Sequence, residues 1–536
     1  MSIETERPEF VSSASGVFQR TDLEKLSKRK LADSQRTAQQ DLDTTQGLPR
    51  TLRPKGNRFT HTLRFFKNPS ALLEDAREQC GDIFELELLG MGRWVFLCSP
   101  SLVQEMYRTP REVLAAGVVN QTFLGSMLGE RTLLNLEGEE HRKRRRKIFP
   151  LFNGNHAFSQ VSRIRRITDD MLDGWPLNEP FSLLQQFDRL VLRSVMQAIF
   201  GSIGVQRTET LCDHASAYFT KGLRSKLAMM PSLQKDLGPW SPWGRVLGLQ
   251  RQLFATVDAE IEDCQRNPGR GGLLDQLLRD LAEDNQNLSS EDLRHEICTL
   301  AFGAVESSPK LLSWTVLDLF LNPSVLQRLR AELDQQLGDR PITRDDLDHM
   351  PYLEAVVYEG MRHRPSTSTA GIRKTLRPMV LGGHRLPAGV IVTQCLSEIS
   401  KTAGLFENHR EFDPEHFYHR NGRPNDWKPF GGGHRKCVGE GFALMHLKVI
   451  LATLVQRVDL ELVDEDVKVE RMGFFMTPDG GGRVRMRRRW DWGERPRDEP
   501  TPSASASSSQ EPSEGHAEEH AAQGEDAAGC PFAHLH

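Results

Sequence analysis

The sequence predicts a mainly α-helical protein with a small β part, and three stretches of the chain carry that prediction. Residues 289–321 form a long, mostly apolar stretch that begins with serines. Residues 323–337 repeat leucines at helical spacing, whereas residues 81–98 alternate apolar and charged side chains. Helical patterns of the first two kinds dominate the chain, so the α class is favoured and the strands are expected to be a minor part.

The first clear element is a β-hairpin in GDIFELELLGMGRWVFLC, residues 81–98. Phe84, Leu86 and Leu88 alternate with glutamates, and a Gly-Met-Gly turn leads into a second apolar run that begins at Trp94. A period of two that ends in a glycine turn is typical of a hairpin. Residues 381–396 also have turn and strand character.

Two helices are predicted in the second half of the chain. Ser289 or Ser290 is expected to begin a helix that runs to about Leu321, because serine caps the first turn well. Its centre is mostly apolar and is expected to cross the protein interior. Asn322 and Pro323 begin the next helix, whose apolar face is Leu326, Leu329, Leu333 and Leu337.

Composition divides the chain into three parts. The chain has 536 residues, of which 38% are hydrophobic, enough for one large core. Residues 1–47 are polar and are predicted to be a partly disordered extension, residues 48–490 to be the folded body, and residues 491–536 to be a disordered acidic tail. No apolar run of about 18 residues is present, so no membrane span is expected, and the N-terminus lacks the pattern of a signal peptide.

Charge and cysteine distribution add two expectations. The net charge is −4, but the segment from Gly493 to His536 holds nine acidic and two basic residues, so the body is mildly basic. The eight cysteines are scattered without a C-x-x-C pair, which favours a reduced, cytoplasmic protein. Cys530, His534 and His536 at the chain's end could bind a metal, although an ordinary disordered end is the preferred interpretation.

A lone cysteine, Cys437, lies in PFGGGHRKCVGEGFALMH, directly before an apolar run with helical character. The positive end of that helix and the nearby Arg435 favour a thiolate. Gly433 permits a tight turn and Gly439 a close backbone approach. The residues alone leave a nucleophile, a zinc ligand, an iron ligand and an inert buried thiol open, although zinc lacks a second ligand set at suitable spacing.

The spacing Phe430-x-x-Gly433-x-Arg435-x-Cys437-x-Gly439 resembles the haem-binding signature of cytochrome P-450. The resemblance covers about residues 48–490 and implies the cytochrome P-450 fold, a triangular helical domain that encloses the haem. It implies that Cys437 is the axial ligand of the haem iron and that the other four residues of the signature bind the cofactor, haem b (iron protoporphyrin IX).

The stretch YEGMRHRP resembles the family's E-x-x-R helix, with Glu359 and Arg362 on one helical face. In the family, a later arginine locks this pair. Here the corresponding stretch is FDPEHF, so His416 stands in that position. The resemblance therefore implies a structural network of three residues that is weaker and pH-sensitive.

The basic stretch EGEEHRKRRRKIFPLF, residues 137–152, resembles the family's helix at the haem edge. His141 and Arg145 are implied to reach a haem propionate, as is Arg373 from a later segment. Arg142, Lys143, Arg144 and Arg146 are expected to point outward and to form a basic proximal face for a ferredoxin or flavodoxin-type electron donor. A merely solvated helix face remains the alternative, and a nucleic-acid patch is disfavoured because the run is short.

The family's oxygen-activating motif matches Gly303-Ala304-Val305-Glu306-Ser307 in the long helix. Glu306 supplies the acid, and Ser307 replaces the usual threonine, so both are implied to be catalytic through proton delivery. Pro309 lacks an N–H, so the helix is expected to kink or open beside the acid.

The resemblance implies a monooxygenase that inserts one atom of O2 into a lipophilic small molecule, with electrons from a separate partner. A haem-thiolate isomerase, a peroxide-using enzyme and a non-catalytic haem sensor remain alternatives. Fatty acids, terpenoids and polyketides all fit, because the expected pocket linings, residues 112–135, 218–232, 366–372 and 472–478, are apolar and mixed.

Overall fold

The fold was analysed in a computed structural model, which describes residues 47–494 except 225–229, 231–232, 284–287, 421–422, 473–474 and 493. The chain divides into two units, Met1–Arg497 and Asp498–His536, and the second lies wholly outside the described residues. Cys530, His534 and His536 belong to that second unit. The three-part division at residues 47 and 490 stays a prediction.

Helices form most of the described chain, as predicted. The first eight are α1 (Arg58–Lys67), α2 (Pro69–Cys80), α3 (Pro100–Arg108), α4 (Gly117–Leu128), α5 (Gly138–Ile148), α6 (Asn155–Phe158), α7 (Val161–Asp173) and α8 (Leu183–Phe200). They are followed by α9 (Val205–Ser216), α10 (Pro242–Arg266), α11 (Leu273–Glu283), α12 (Ser290–Leu321), α13 (Pro323–Leu337), α14 (Pro351–His363), α15 (Leu396–Ile399), α16 (Glu415–Tyr418) and α17 (Glu440–Arg457).

The β part is small, and within residues 47–494, apart from the gaps given above, it falls into four sheets. One sheet of five strands has the order β1 (Ile83–Leu88), β2 (Gly92–Leu97), β8 (Ile391–Cys395), β5 (Thr369–Thr375), β3 (Leu114–Ala115). A three-stranded sheet joins β4 (Pro180–Ser182), β12 (Arg483–Arg489) and β9 (Val458–Leu462). Two hairpins pair β6 (Met379–Leu381) with β7 (His384–Leu386), and β10 (Val469–Met472) with β11 (Phe475–Pro478).

The predicted hairpin is β1–β2, antiparallel, with Phe84 opposite Phe96. Their rings stack with centroids 5.5 Å apart in a buried cluster. Glu85 differs from the simple alternation, because it is also buried and pairs with Arg93 at 2.6 Å. Both faces of the strand are therefore covered, and the carboxylate is tolerated because it has a cationic partner.

The long helix α12 begins where the sequence predicts. The Ser289 hydroxyl accepts a hydrogen bond from the Asp292 N–H at 3.0 Å and caps the first turn. Leu311 to Leu319 are buried, so the second half crosses the interior and packs against α8. The buried leucines of α13 are the four that were predicted.

The helix does not open at Pro309. Residues 290–321 are all described and form one continuous helix, so the helix does not open beside Glu306, whereas the alternative of a kink there stays a prediction. Pro309 still removes the backbone donor that the Val305 carbonyl would use. That carbonyl accepts a hydrogen bond from Lys310 Nζ at 3.2 Å instead, which explains why the helix can continue.

A helix that spans a membrane must be both long and apolar. Within the described residues, none is both long enough and apolar enough to cross a bilayer.

Candidate active site

The loop before α17 presents Cys437 three residues ahead of the helix. The Cys437 N–H donates to the Phe430 carbonyl at 2.9 Å, and the Lys436 N–H donates to the Gly433 carbonyl at 3.1 Å. Gly431 and Gly433 have φ of 71° and 63°, a left-handed conformation that side chains disfavour. The glycines therefore allow the tight path that the sequence predicts.

Tyr107, which sequence reasoning missed, explains why a third glycine is needed. A Cβ atom on Gly432 would lie 2.7 Å from the Tyr107 ring, and one on Gly371 would lie 2.1 Å from its hydroxyl. Tyr107 belongs to α3, far from both glycines in sequence. No local pattern could have identified this contact, because only the fold brings the ring against the two loops.

Cys437 lines a cavity of about 570 Å³. The side chain is accessible through this cavity, yet the surrounding protein removes most bulk solvent from the thiol. Burial raises the pKa of Cys437, while the Gly439 N–H and the charges of Arg145 and Lys436 act in the opposite direction. A thiol in this setting is expected to deprotonate when a metal binds it.

Six of the seven predicted cofactor-binding residues also line this cavity, namely His141, Arg145, Arg373, Arg435, Phe430 and Gly439, whereas Gly433 does not. The first two lie one turn apart on α5, whereas Arg373 comes from β5. Burial, together with the neighbouring cations Arg435, His434, Arg145 and Arg373, lowers the pKa of His141 to about 3. His141 is thus a neutral imidazole among three guanidinium groups.

Arg435 ties the cysteine loop to the segment before α5. Its Nη1 donates to the Leu133 carbonyl at 3.0 Å, and its guanidinium pairs with Glu137 at 2.8 Å. Arg373 Nη2 lies 3.5 Å from the Gly432 carbonyl, on the other side of the loop. Both arginines therefore contribute to the loop's conformation as well as to the cavity wall.

The residues present fit the haem that the resemblance implies. No aspartate or glutamate lines the cavity among the described residues, so its cations suit a group with two carboxylates. Arg435 Nε and the Tyr107 hydroxyl are buried without a hydrogen-bond partner in the described chain, which is unusual for such groups. A Cβ atom on Gly439 or Gly303, both in the cavity wall, would meet open space, so an occupant of the cavity accounts for these glycines.

Helix α12 forms another wall of the cavity, with Gly303, Ala304 and Ser307. The Ser307 hydroxyl donates to the Gly303 carbonyl at 2.7 Å, one turn back in the helix. Its oxygen keeps lone pairs that can accept a hydrogen bond from a molecule in the cavity. Ser307 is therefore placed where the sequence predicts.

Glu306 is adjacent to Ser307 in the chain, but it is not among the described residues that line the cavity. Its carboxylate is buried and pairs with Arg224 Nε at 3.1 Å and with Lys310 Nζ at 3.1 Å. Arg224 also forms two hydrogen bonds of 2.8 Å with Asp188. Two acids and two bases thus form one buried network, and the catalytic role of Glu306 stays a prediction.

Lys310 is a residue that sequence reasoning missed. It is fully buried, and burial outweighs the pull of Glu306 and lowers the pKa of Lys310 to about 8. The same ammonium binds both the Glu306 carboxylate and the Val305 carbonyl that Pro309 leaves without a backbone donor. The sequence signal that could have identified Lys310 is its position, directly after an intrahelical proline and four residues after an acid.

The structure brings together the three residues of the predicted structural network. Arg362 forms hydrogen bonds of 2.6 and 2.7 Å with Glu359, and both side chains are buried. Arg362 also donates to the carbonyls of His409 and Glu411, each at 2.7 Å. His416 Nδ1 lies 3.3 Å from Glu359 Oε2.

Burial of His416 disfavours the charged imidazolium. The hydrogen bond and charge of Glu359 outweigh that effect and raise the pKa of His416. The histidine that replaces the family's arginine is therefore charged over part of the ordinary pH range.

One residue of the predicted basic face points inward. Arg144 is buried and pairs with Glu296 of α12 at 2.6 Å, so the expectation that it points outward is wrong. Arg142, Lys143 and Arg146 are exposed. The helical period decides this, because Arg144 lies three residues after the buried His141 and four before the buried Ile148.

The predicted pocket linings are partly present. Some residues between 116 and 134, residues 366–367 and 369–372, and Phe475 line the cavity, whereas no described residue of 218–232 does. The wall also includes Val195, Ala198 and Ile199 of α8, which were not predicted.

Comparison with known proteins agrees with this geometry. The family model for cytochrome P450 matches residues 54–486. A Mycobacterium tuberculosis protein named cytochrome P450 135B1 is 27% identical over 455 residues, covering 83% of this chain and 92% of that protein. A second protein of that species, named cytochrome P450 138, is 29% identical over 436 residues, covering 81% and 95%.

Two solved structures share the fold, each with a TM-score of 0.72. One is cyanobacterial CYP120A1 with retinoic acid bound, 24% identical, covering 83% of this chain and 100% of that chain. The other is the haem domain of cytochrome P450DA, 20% identical, covering 83% and 99%. Since the family model spans most of the chain and the helices and cysteine loop have the expected arrangement, the chain belongs to the cytochrome P450 family.

Proposed function

We propose that this P450 inserts one oxygen atom from O2 into a lipophilic small molecule, using haem b and electrons from a separate redox partner. The observation that supports this most directly is the cavity itself. Cys437, the apolar walls and the Ser307 hydroxyl of α12 all border one space. Molecules bound in this cavity can therefore contact all three features: Cys437 as a metal ligand, the apolar walls as a binding surface, and the Ser307 hydroxyl as a group that carries a proton.

Cys437 would hold the haem, which would supply the chemistry of dioxygen activation when bound. His141, Arg145, Arg373 and Arg435 are proposed to hold the propionates, since all four reach the cavity. The Phe430 carbonyl, which accepts the Cys437 N–H, and the turn at Gly433 orient the sulfur. Gly439 leaves room for the macrocycle.

Ser307 and Glu306 are proposed to hold a proton at the Ser307 hydroxyl and to resupply it from the Glu306 carboxyl. Ser307 already lines the cavity. The Glu306 side chain would have to leave Arg224 or Lys310 and turn toward the cavity. Between turnovers, the ion pairs with Arg224 and Lys310 would hold the Glu306 carboxylate away from the cavity. Proton transfer from a positioned group typically contributes about 10²–10⁴-fold to a rate.

The substrate is proposed to be lipophilic, because the cavity wall is dominated by apolar side chains such as Phe123, Leu300 and Phe475. Fatty acids, terpenoids and polyketides remain the candidate classes. The retinoic acid in the CYP120A1 structure is a lipophilic ligand of this kind bound to the same fold.

The electron donor is proposed to be an acidic ferredoxin or flavodoxin-type protein. Arg142, Lys143 and Arg146 are exposed on α5, whose Arg145 and His141 line the haem cavity. A donor bound to this helix would lie close to the edge of the cofactor. The seven described cysteines are all free, which is in keeping with the reducing cytoplasm that we propose as the compartment.

The direct test is the absorption spectrum of the reduced carbon monoxide complex, with and without Cys437→His. The wild-type protein is expected to show the strongly red-shifted Soret band of thiolate ligation, and the variant is expected to lose it. A variant that retained the band would contradict the assignment of Cys437. Product formation with O2 and a reducing partner then tests the monooxygenase reaction.

A second candidate, a peroxide-using enzyme or isomerase, is favoured by one observation. Glu306 is held by Arg224 and Lys310 away from the cavity, and the alcohol is a serine that donates to its own helix. Without product from O2 and reductant, turnover with hydrogen peroxide would select the peroxide-using enzyme, and rearrangement of the substrate without any oxidant would select the isomerase. The reverse result would exclude it.

A further inference from the structure

A stripe of small and polar residues runs along one face of α12 toward the cavity. Five residues, spaced by four, three, four and four positions, lie on this face, namely Asp292, Glu296, Thr299, Gly303 and Ser307. Asp292 is half-buried near the start of the helix, whereas Thr299, Gly303 and Ser307 line the cavity. Glu296 is the buried acid between these two ends.

The two oxygens of the Glu296 carboxyl differ in their surroundings. Oε1 accepts a hydrogen bond of 2.6 Å from Arg144 Nη1, whereas Oε2 is buried and has no hydrogen-bond partner among the described residues. The buried Thr299 hydroxyl also lacks a partner within the described part of the chain. Because residues three apart on a helix are neighbours, two unsatisfied polar side chains lie side by side on α12. Such groups are rare in proteins, and each calls for a functional or structural reason.

Glu296 can carry a proton at neutral pH. Burial raises the pKa of Glu296 to about 7, and the negative charge of Asp292 acts in the same direction. Arg144 and the nearby Leu133 N–H oppose this shift. The Asp292 carboxylate in turn lies 3.6 Å from the exposed Arg131 and 3.9 Å from Arg144. A carboxyl that titrates near neutral pH can both release and recover a proton.

Two neighbours of Glu296 in the chain face α10 instead. Arg294 pairs with Asp258 of α10 at 2.6 Å, and the His295 ring packs against the Phe254 ring with centroids 5.4 Å apart. Burial lowers the pKa of His295, so this ring is mostly neutral where Glu296 titrates. The group in this part of α12 that changes charge near neutral pH is therefore Glu296.

Glu296 lies directly behind the cavity wall. Leu133, whose N–H acts on the Glu296 carboxyl, and Thr299 both line the cavity. Glu306, by contrast, is held by Arg224 and Lys310 away from the cavity. A proton on Glu296 thus needs to pass only one side chain, Thr299, to reach a molecule in the cavity.

We propose that Glu296 supplies protons to the cavity through the Thr299 hydroxyl. In each transfer, the Glu296 carboxyl gives its proton to the Thr299 oxygen, and Thr299 gives its own hydroxyl proton to an acceptor in the cavity. The Glu296 carboxylate then recovers a proton from water that reaches the helix at Asp292. This inference rests on the proposed function and deepens it, because it adds a source of protons that is independent of Glu306.

The test uses hydrogen cyanide as a probe of the haem-loaded protein, because HCN must give up its proton in the cavity when cyanide binds the iron. The same path would carry that proton outward to the Glu296 carboxylate. The rate of cyanide binding to the wild-type protein is therefore expected to rise as the pH rises through about 7. Glu296→Gln and Thr299→Val should each lower the rate above this midpoint by about 10²-fold, the lower end for a positioned proton-transfer group, and should remove the midpoint.

Further variants act as controls. Thr299→Ser keeps a hydroxyl and should retain most of the wild-type rate. The double variant of Glu296→Gln and Thr299→Val should be no slower than either single variant, because both residues act in one path. Glu260→Gln changes a buried acid of α10 and Thr168→Val a buried threonine of α7, and neither residue is among the described ones that line the cavity. Both of these changes should leave the rate and its midpoint unaltered.

Infrared spectroscopy gives a readout that needs neither turnover nor cyanide. The difference between the wild-type and Glu296→Gln spectra should show the carbonyl band of a protonated carboxyl, which disappears with a midpoint of about pH 7. With O2 and reductant, Glu296→Gln and Thr299→Val should also release more peroxide per reducing equivalent than the wild-type protein.

A wild-type rate of cyanide binding in Thr299→Val would overturn the proposal. Glu296 would then only anchor Arg144, because Thr299→Val leaves that ion pair intact. Absence of the carboxyl band at neutral pH would overturn it as well. If Glu296→Gln lost haem, the comparison of Thr299→Val with Thr299→Ser would still decide. These outcomes are distinct from failure of the proposed function, because cyanide binding and the infrared titration need no turnover and thiolate ligation is read separately from the carbon monoxide spectrum.

Discussion

Single side chains decide how α12 presents its chemistry to the cavity. Ser307 reaches the cavity wall, whereas the neighbouring Glu306 is turned into a buried network with Arg224 and Lys310. Adjacent helical residues point about 100° apart, so one faces the cavity while the other faces the protein. Removing Ser307 and removing Glu306 should therefore affect proton delivery in different ways.

Ser307→Ala is expected to lower the amount of product formed per reducing equivalent and to raise peroxide release, with little change in substrate affinity. Glu306→Gln should cause the same uncoupling and, in addition, lower stability, because Arg224 and Lys310 lose a buried charge partner. Product, peroxide and reductant consumption are measured together. Ser308→Ala, in the same cavity wall, is the control. Unchanged coupling in both Ser307→Ala and Glu306→Gln would refute the proton relay.

Lys310→Met is expected to lower the free energy of unfolding by about 1–3 kcal/mol, because the buried Val305 carbonyl loses its donor. Pro309→Ala restores the backbone N–H that can bond this carbonyl. The double variant should therefore lose less than Lys310→Met alone, and denaturant unfolding measures both. Lys143→Met, an exposed lysine outside the network, should have little effect. Strictly additive losses would show that Lys310 does not replace the missing donor.

At the scale of elements, α14 is tied to the segment after α15 by buried charges. Arg362 donates to Glu359 on its own helix and to backbone carbonyls at His409 and Glu411. The Asp413 N–H donates back to Glu359 Oε1 at 2.7 Å. Breaking such a pair on one side typically costs about 3–5 kcal/mol. Glu359→Ala or Arg362→Ala is therefore expected to prevent stable haem incorporation, measured as haem per protein.

His416 makes this network depend on pH. Its pKa is raised in the folded state, so the contribution of its charge to stability is complete below the unfolded value and is lost as the pH rises through the folded value. The difference in unfolding free energy between wild type and His416→Gln should be larger near about pH 6 than near about pH 9. His416→Arg should remove this dependence, because arginine stays charged. An equal difference at both pH values would contradict the argument.

At the scale of the whole molecule, the described body contains the haem-binding loop, the cavity and the structural network. The acidic tail was predicted from composition to be separate from this chemistry. Deleting residues 494–536 is expected to leave haem content and turnover intact, measured on the full chain and the truncated chain side by side. Loss of either property would favour a ligand role for Cys530, His534 or His536.

The sequence by itself determined the features that depend on near neighbours in the chain. The β1–β2 hairpin, the start of α12 at Ser289, the leucine face of α13 and the turn before Cys437 all follow from turn residues, caps or periodicity. These signals are local because backbone hydrogen bonds in helices and hairpins join residues a few positions apart. The family followed from the same loop, since its glycines and cysteine have fixed spacing.

Only the tertiary structure decided where the long charged side chains lie. The inward turn of Arg144, the burial of Lys310 and the contact of Tyr107 with the glycines all depend on segments far away in sequence. Arginine, lysine and glutamate adopt many rotamers on either face of an element, and their direction is set by whichever distant partner offsets the loss of hydration. A sequence pattern does not specify that partner, because packing of the whole chain brings it into reach.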